Sequence, residues 1–397
     1  MTNRSDNRRY LGIFCGLSGA VLLAVSGMNY VVDPYLTHQW DTPRLQRLRP
    51  IREKLGAWGK TYAVARFQPA VVYIGNSRTE LGLPTQMPQF AGKPVFNSAL
   101  SGASIGDAIR LAQHASQVSR VETMVWGIDA PSFSMEDGNT DLDPDLTADG
   151  RYFFLRRGLL DLKRALALDM TRDSLSVLTG SYGAVCRSSL AFHGQRDDAC
   201  ISLRIGGWRG TQAAVLPRTR EYIRGAGPTA EAQAAFDASV DALCRRAIRV
   251  RLYINPTHAM MQDALYWAGK WAAVEAWQRA LTAAAARQRR AGCDVQLYDF
   301  SDFNSITTEA IPQAGQPAYM VNYWETSHYR VNVGRMILTR MFGGAEALPP
   351  DFGVALLPST VDLHLAAMRA GRARYHRDHP METAMAQAVV AERRAGR

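Results

Sequence analysis

Two hydrophobic patterns follow each other along the chain. Residues 10–32 run without a charged side chain. At 1.5 Å per residue this stretch spans a hydrocarbon core of about 30 Å. Arg4, Arg8 and Arg9 precede it, so residues 1–9 are expected to stay cytoplasmic and the bulk of the chain to lie across the membrane. A cleaved secretory signal is the other reading, with Ala24-Val25-Ser26 as a small-x-small site. The apolar run continues past that site to Val32, which favours a retained anchor. In a bacterial cell this means an inner-membrane, single-pass protein with its folded domain in the periplasm.

Beyond the anchor the pattern becomes short apolar runs alternating with amphipathic stretches. Residues 33–65 read as a connector with a short basic helix over 50–65, Pro50 fitting a first helical position. Strands are predicted at 68–74, 93–100, 122–128, 247–254 and 294–300. Helices are predicted at 104–118, 228–246, 261–290 and 331–342. Strand-turn-helix alternation is the grammar of an α/β fold, here a three-layer α/β/α domain over 66–343 with a central, mostly parallel sheet. Residues 129–227 interrupt it. This insertion holds helical stretches at 153–168 and 173–178 and reads as a lid or substrate platform. Residues 344–397 form an Arg-rich, polar helical tail.

Composition narrows the class. The 397 residues are 47% hydrophobic and 21% charged, which excludes wholesale disorder and fibrous architectures. A mean hydropathy of -0.18 excludes a multi-span membrane protein. The formal net charge is +10, yet the arginines are scattered with no dense basic run, so no nucleic-acid partner is expected. Cys15 lies in the anchor. Cys186, Cys200, Cys244 and Cys293 remain, an even number suited to an oxidising compartment. Cys186 and Cys200 flank a loop-like stretch and are the first candidates for a disulfide, against free buried thiols. The chain has no CxxC, HExxH, Walker loop or GxGxxG, so neither a metal nor an organic cofactor is expected. His376 and His379 in the tail read as solvated rather than metal-bound.

In parallel sheets ligands bind outside the carboxyl ends of the strands. The polar residues predicted there are Ser77, Gly102, Asp129, His258 and the segment from Asp299 to Asp302, joined by Glu325 and His328 from the last loop. A serine hydroxyl is a weak nucleophile that needs a base, and the base needs an orienting acid. His328 suits the base, and Glu325, three residues earlier, suits the acid. Backbone N–H groups of Ser77 and Gly102 are candidate oxyanion donors. Each residue alone has a plainer role, such as turn, cap or packed imidazole. The reading requires Ser77 and His328 within hydrogen-bond reach.

GNSR at 75–78, FNSALSGAS at 96–104, the Gly-x-Asp strand end at 127–129 and ExxH at 325–328 occur in an order that resembles the SGNH/GDSL hydrolase superfamily. The pattern is most similar to its periplasmic, membrane-anchored branch, which includes alginate O-acetyltransferase-type proteins. The resemblance implies Ser77 as nucleophile, Gly102 as an oxyanion donor, and Glu325 and His328 as the remaining triad members, with Glu where the family has Asp. Arg78, Asn97, Asp129 and His258, near the same strand ends, are substrate-binding candidates. One block departs: the family expects Gly-x-Asn-Asp, and this chain has Gly127-Ile128-Asp129-Ala130. An ionised carboxylate in place of a donating amide would repel an oxyanion. The implied function is O-acetyl transfer or de-acetylation on a cell-surface polysaccharide, with other polysaccharide export and acetylation proteins as partners. Two alternatives stand beside it: a non-catalytic glycan-binding or assembly protein, and a lipase or thioesterase at the membrane surface.

Overall fold

The computed structural model describes residues 4–35, 37, 56–136, 138, 142–148, 152–181, 193–196 and 198–395. The connector helix expected from residue 50 lies in part outside these residues, as do Cys186 and the side chain of Cys200.

The chain begins with one helix long and apolar enough to cross a membrane, α1 (Arg4–Val32). The next, α2 (Ala57–Phe67), leads into β1 (Val71–Ile74). Then come α3 (Ser77–Gly82), β2 (Val95–Asn97), α4 (Ile105–Val118) and β3 (Thr123–Ile128). The insertion contributes α5 (Phe153–Ala165), α6 (Leu168–Leu178), α7 (Asp198–Ile205) and α8 (Gly207–Arg224). Next follow α9 (Ala230–Arg245), β4 (Arg249–Ile254), α10 (Ala259–Trp267), α11 (Trp271–Arg290) and β5 (Val295–Asp299). A two-stranded hairpin of β6 (Tyr323–Glu325) and β7 (His328–Tyr329) precedes α12 (Val331–Phe342). The chain closes with β8 (Val354–Ala355), α13 (Val361–Asp378) and α14 (Pro380–Ala395).

The fold is α/β around a six-stranded sheet of order β2-β1-β3-β4-β5-β8, parallel except for the short edge strand β8. Strand order reverses between β1 and β3, the position where such sheets open a crevice at their carboxyl ends. Alternate strand residues feed two cores. Val72, Ile74, Trp126 and Leu252 meet α2, α4, α9 and α11 on one face. Val71, Tyr73, Val125 and Tyr253 meet α12 on the other. Burial on both faces explains why the strands read as continuous apolar runs rather than alternating ones. The start of α4 is fixed by a capping box, Ser104 accepting from the Asp107 N–H while the Asp107 carboxylate accepts from the Ser104 N–H.

Three expectations change. The single helix over 261–290 is two helices, because Gly269 takes a left-handed φ of +75° between Trp267 and Trp271. The tail is part of the globule: Leu365, Met368 and Tyr375 pack on Trp271 and Phe303, and Ala386, Val389 and Val390 enter the main core. Its polar appearance comes from arginines on the outer helical faces. His376 is bonded to Asp263 and stacks on Trp267, and His379 stacks on Tyr375, so neither is simply solvated.

Cys244, at the end of α9, is bonded to Cys293 before β5. The pairing depends on β4 running between the two sites, which sequence spacing does not show. This bond closes a loop of sequence separation 49. The Cys244→Ser/Cys293→Ser protein is expected to lose about 2–4 kcal/mol of unfolding free energy, read from denaturant midpoints at unchanged slope.

His114 on α4 is buried, its Nδ1 accepting from the Ala148 N–H and its Nε2–H donating to the Thr61 carbonyl. Burial lowers its pKa to about 4. Folding therefore favours the neutral ring. This contribution is intact above pH 6.5 and is lost as pH falls from 6.5 towards 4, by about 3 kcal/mol in all. Across that window stability should decline less steeply in His114→Gln than in the parent protein. Equal slopes in equilibrium unfolding at pH 7, 5.5 and 4 would refute the assignment.

Candidate active site

The turn after β1 begins with Gly75 at φ +151°, where a Cβ would stand 2.4 Å from Thr79 Oγ1. Only glycine lets the strand turn this tightly into α3. Asn76 caps α3, its side-chain oxygen accepting from the Arg78 N–H at 3.1 Å. Ser77 is thus the first helical residue. Its N–H, like that of Gly102, has no acceptor among the described residues. Gly102 follows β2 at φ +76°, again a conformation that favours glycine.

The β6–β7 hairpin brings the imidazole. His328 Nε2 stands 2.8 Å from Ser77 Oγ, and its Nδ1 is hydrogen-bonded to Glu325 Oε1. The second Glu325 oxygen accepts from the Ser327 N–H at 2.6 Å, and Arg218 Nε lies 3.9 Å from the first. Burial raises the pKa of Glu325. The His328 charge and hydrogen bond, the Ser327 N–H and Arg218 outweigh that effect, so the net shift is downward and the acid stays ionised. With Glu325 as acceptor, Nδ1 carries the proton and Nε2 is left to accept from the Ser77 hydroxyl. A two-residue connection between β6 and β7 pairs Glu325 directly with His328.

Asp129, at the end of β3, does not point at Ser77. Its Oδ2 accepts from Asn76 Nδ2 at 2.6 Å and from Asn255 Nδ2 at 3.0 Å, and Arg78 Nη1 lies 3.3 Å away. The feared repulsion of an oxyanion is therefore neutralised by Arg78. Burial works against the Arg78 charge, but Asp129 foremost among its neighbours holds its pKa above the usual value. Arg78 also donates to the Ser327 carbonyl at 3.0 Å and to the Ser327 hydroxyl at 2.9 Å.

Two substrate-binding candidates lie elsewhere. Asn97 is fully buried, donating to the Thr79 and Leu83 carbonyls and accepting from the Ala99 N–H. It locks the turn after β2 to α3. His258 is fully buried as the cap of α10: its ring accepts from the Met260 N–H and donates to the Glu309 carbonyl at 2.6 Å. Burial lowers its pKa to about 4, so the ring is neutral. A helix cap was the plainer role open to this residue in the sequence.

Ser77, Gly102 and His328 open onto a cavity of about 280 Å³. Its far wall comes from α8, where Arg218, Glu221 and Tyr222 are spaced i, i+3, i+4 on one face. Arg196 and Ser101 complete the rim, and Arg196 Nη1 donates to Ser101 Oγ at 3.3 Å. Sequence reasoning missed these residues. Their signal was the position of the insertion over the carboxyl edge, but Pro217 disguised the helix that presents them. Behind the rim, Glu80 accepts from the buried Lys60 ammonium at 2.9 Å and from the Ser101 hydroxyl at 2.6 Å, which ties the Gly102 loop to α3.

No protein-family model matches this chain. A search of curated proteins likewise returns no match.

Proposed function

We propose that the protein is a serine acyl enzyme of SGNH type, acting by O-acetyl transfer or de-acetylation on an exported polysaccharide. The observation that carries this reading is the relay from Ser77 Oγ to His328 Nε2 and from Nδ1 to Glu325. Ser77 attacks the carbonyl carbon of an acetyl ester, and Nε2 takes the hydroxyl proton. The tetrahedral oxyanion accepts from the Ser77 and Gly102 N–H groups, and the Asp129 charge is met by Arg78. Collapse expels the alcohol, which takes the proton back from Nε2, and leaves acetyl on Ser77. A sugar hydroxyl or water then attacks the acyl-enzyme with His328 as base, so transfer and hydrolysis share their first half.

The cavity supports a hydroxylated acceptor over a long acyl chain. Ser101, Ser132, Arg196, Arg218, Glu221 and Tyr222 give it a polar, charged wall. This weighs against the lipase reading. The reading of a lapsed catalyst that only binds glycan rested on Asp129 and Glu325. Asp129 is committed to Asn76, Asn255 and Arg78, and Glu325 is bonded to His328, so neither residue now favours it.

A fluorophosphonate probe is expected to label the full chain in membranes and to fail on Ser77→Ala. Absence of labelling in the parent protein across pH 6–9 would sink the reading. Glu325→Gln should keep the fold and lower turnover of a small acetyl ester about 10⁴-fold, because the amide stabilises the wrong ring tautomer. In cells, polysaccharide acetyl content unaffected by a folded Ser77→Ala protein would remove the polysaccharide role while leaving the acyl chemistry open.

A further inference from the structure

The insertion leaves a large apolar surface uncovered beside the N-terminal helix. On α5 and its C-cap the residues Leu155, Leu159, Leu162 and Leu166 recur at i, i+4, i+7 and i+11, one continuous stripe of a 3.6-residue helix. The stripe faces away from the protein: Leu155, Leu159 and Leu162 are each about 60% exposed. Phe154 at 82% and Leu168 of α6 at 85% extend the surface at its two ends. The opposite side of α5 is committed inward, with Phe153 buried and Arg157 bonded to the Leu146 carbonyl and Thr61 hydroxyl. A stripe this contiguous on an otherwise well-packed fold marks a contact with something apolar.

The position of α1 indicates what covers it. Asn29, in the last turn of α1, is fully buried and donates to the Ala165 carbonyl at 2.8 Å and to Thr171 Oγ1 at 2.9 Å. Just past the helix, Tyr35 donates to Asp173 at 2.8 Å, and Arg164 sits over the Tyr35 ring. The α5–α6 corner therefore grips α1 where its apolar span ends. Leu162 and Met170 share with Leu23 and Gly27 of α1 a cavity of about 500 Å³, which Tyr35, Trp58, Asp161 and Arg164 also line. Leu23 precedes Asn29 by six residues, about 9 Å along the helix axis. Leu162 thus faces a cavity that the last turns of the apolar span help to line. Exposed Lys163 and Arg172, on the same two helices, suit the phosphates of the headgroup layer.

We propose that α5 and α6 lie in the bilayer that α1 spans, as an interfacial platform whose leucine stripe enters the acyl region of the leaflet facing the folded domain. The occupant of the apolar surface is lipid. The depth is that of an amphipathic interfacial helix, about 5–10 Å below the headgroups. The lipid chains also fill the cavity between α1 and α5. The platform holds the folded domain at a fixed orientation to the membrane, which a single spanning helix cannot do. This inference does not depend on the acyl chemistry.

The test reconstitutes the full chain in phosphatidylcholine/phosphatidylglycerol vesicles doped with a phosphatidylcholine carrying a diazirine on its acyl chain. After illumination, adducts are mapped by peptide mass spectrometry. Adducts at Leu155, Leu159 and Leu162 in addition to α1 are expected. The Leu155→Glu/Leu159→Glu/Leu162→Glu protein should lose at least tenfold of the α5 adducts while keeping those on α1. Its altered positions are exposed, and an unchanged thermal melt would show that it folds. If it fails to fold, Leu159→Ser alone should still lower the yield at its own peptide severalfold. Adducts confined to α1 in the parent protein would overturn the proposal. So would α5 adducts undiminished in a folded triple-Glu protein, or an oxidant-induced disulfide joining the α5 peptides of two Leu159→Cys copies in the vesicles, which would make a second copy the occupant.

Discussion

The candidate site is organised by one buried carboxylate. A charge taken out of water is tolerated only when it is paired and hydrogen-bonded. Asp129 is 3% exposed and meets that demand with Asn76, Asn255 and Arg78. The partners come from two distant pieces of chain: Asn76 and Arg78 from the cap and first turn of α3, and Asn255 from the residue after β4. Arg78 then carries the connection onward to the Ser327 carbonyl and hydroxyl, across a sequence separation of 249. One ion pair thereby joins the helix that bears Ser77 to the hairpin that bears Glu325 and His328. If either charge were removed, the other would be buried without its counter-charge and the two halves of the relay would lose their common tether.

A second set of bonds closes on the same point. Thr79 Oγ1 meets the Tyr253 hydroxyl at 2.8 Å, Tyr253 meets Tyr329 at 3.1 Å, and Tyr329 donates to Asn255 Oδ1 at 3.2 Å. Asn255 returns to Asp129. Gly82 lets the hairpin settle on α3, since a Cβ there would fall 1.9 Å from the Tyr329 ring. The result is a closed loop of interactions through α3, β4, β7 and the end of β3. Such a loop fixes the Ser77–His328 separation before any substrate arrives, and catalysis by oriented groups and fixed dipoles requires that rigidity.

The sequence exposed the parts of this arrangement that rest on local pattern. Strands β1 to β4 stand out because they are buried on both faces, and β5 by its alternation of buried and half-buried positions. Ser77, Gly102, Glu325 and His328 stand out because tight turns at strand ends carry recognisable residues. What stayed hidden depends on tertiary placement. Asp129 reads as a liability until Arg78 is seen beside it, and a neighbour in space leaves no mark in the order of residues. His258, after a strand, and Asn97, within one, read as ligands, yet burial turned both inward to satisfy backbone groups. The Cys244–Cys293 pairing needed the position of β4. The tail looked polar because only one face of α13 and of α14 is apolar, and that face is covered.

The insertion links the site to its surroundings. Its second half supplies α8, whose Arg218 and Tyr222 wall the cavity and whose Arg218 reaches Glu325. Its first half supplies α5 and α6, which grip the end of α1. Between them, Ile201 of α7 packs with Leu81 of α3 and Trp324 of β6. The same excursion therefore contacts α1, the helix that bears Ser77 and the hairpin that bears His328. A sheet with short loops would leave the carboxyl edge open to water on all sides. Here the chain length spent between β3 and β4 gives that edge a charged wall and ties it to the long apolar helix α1.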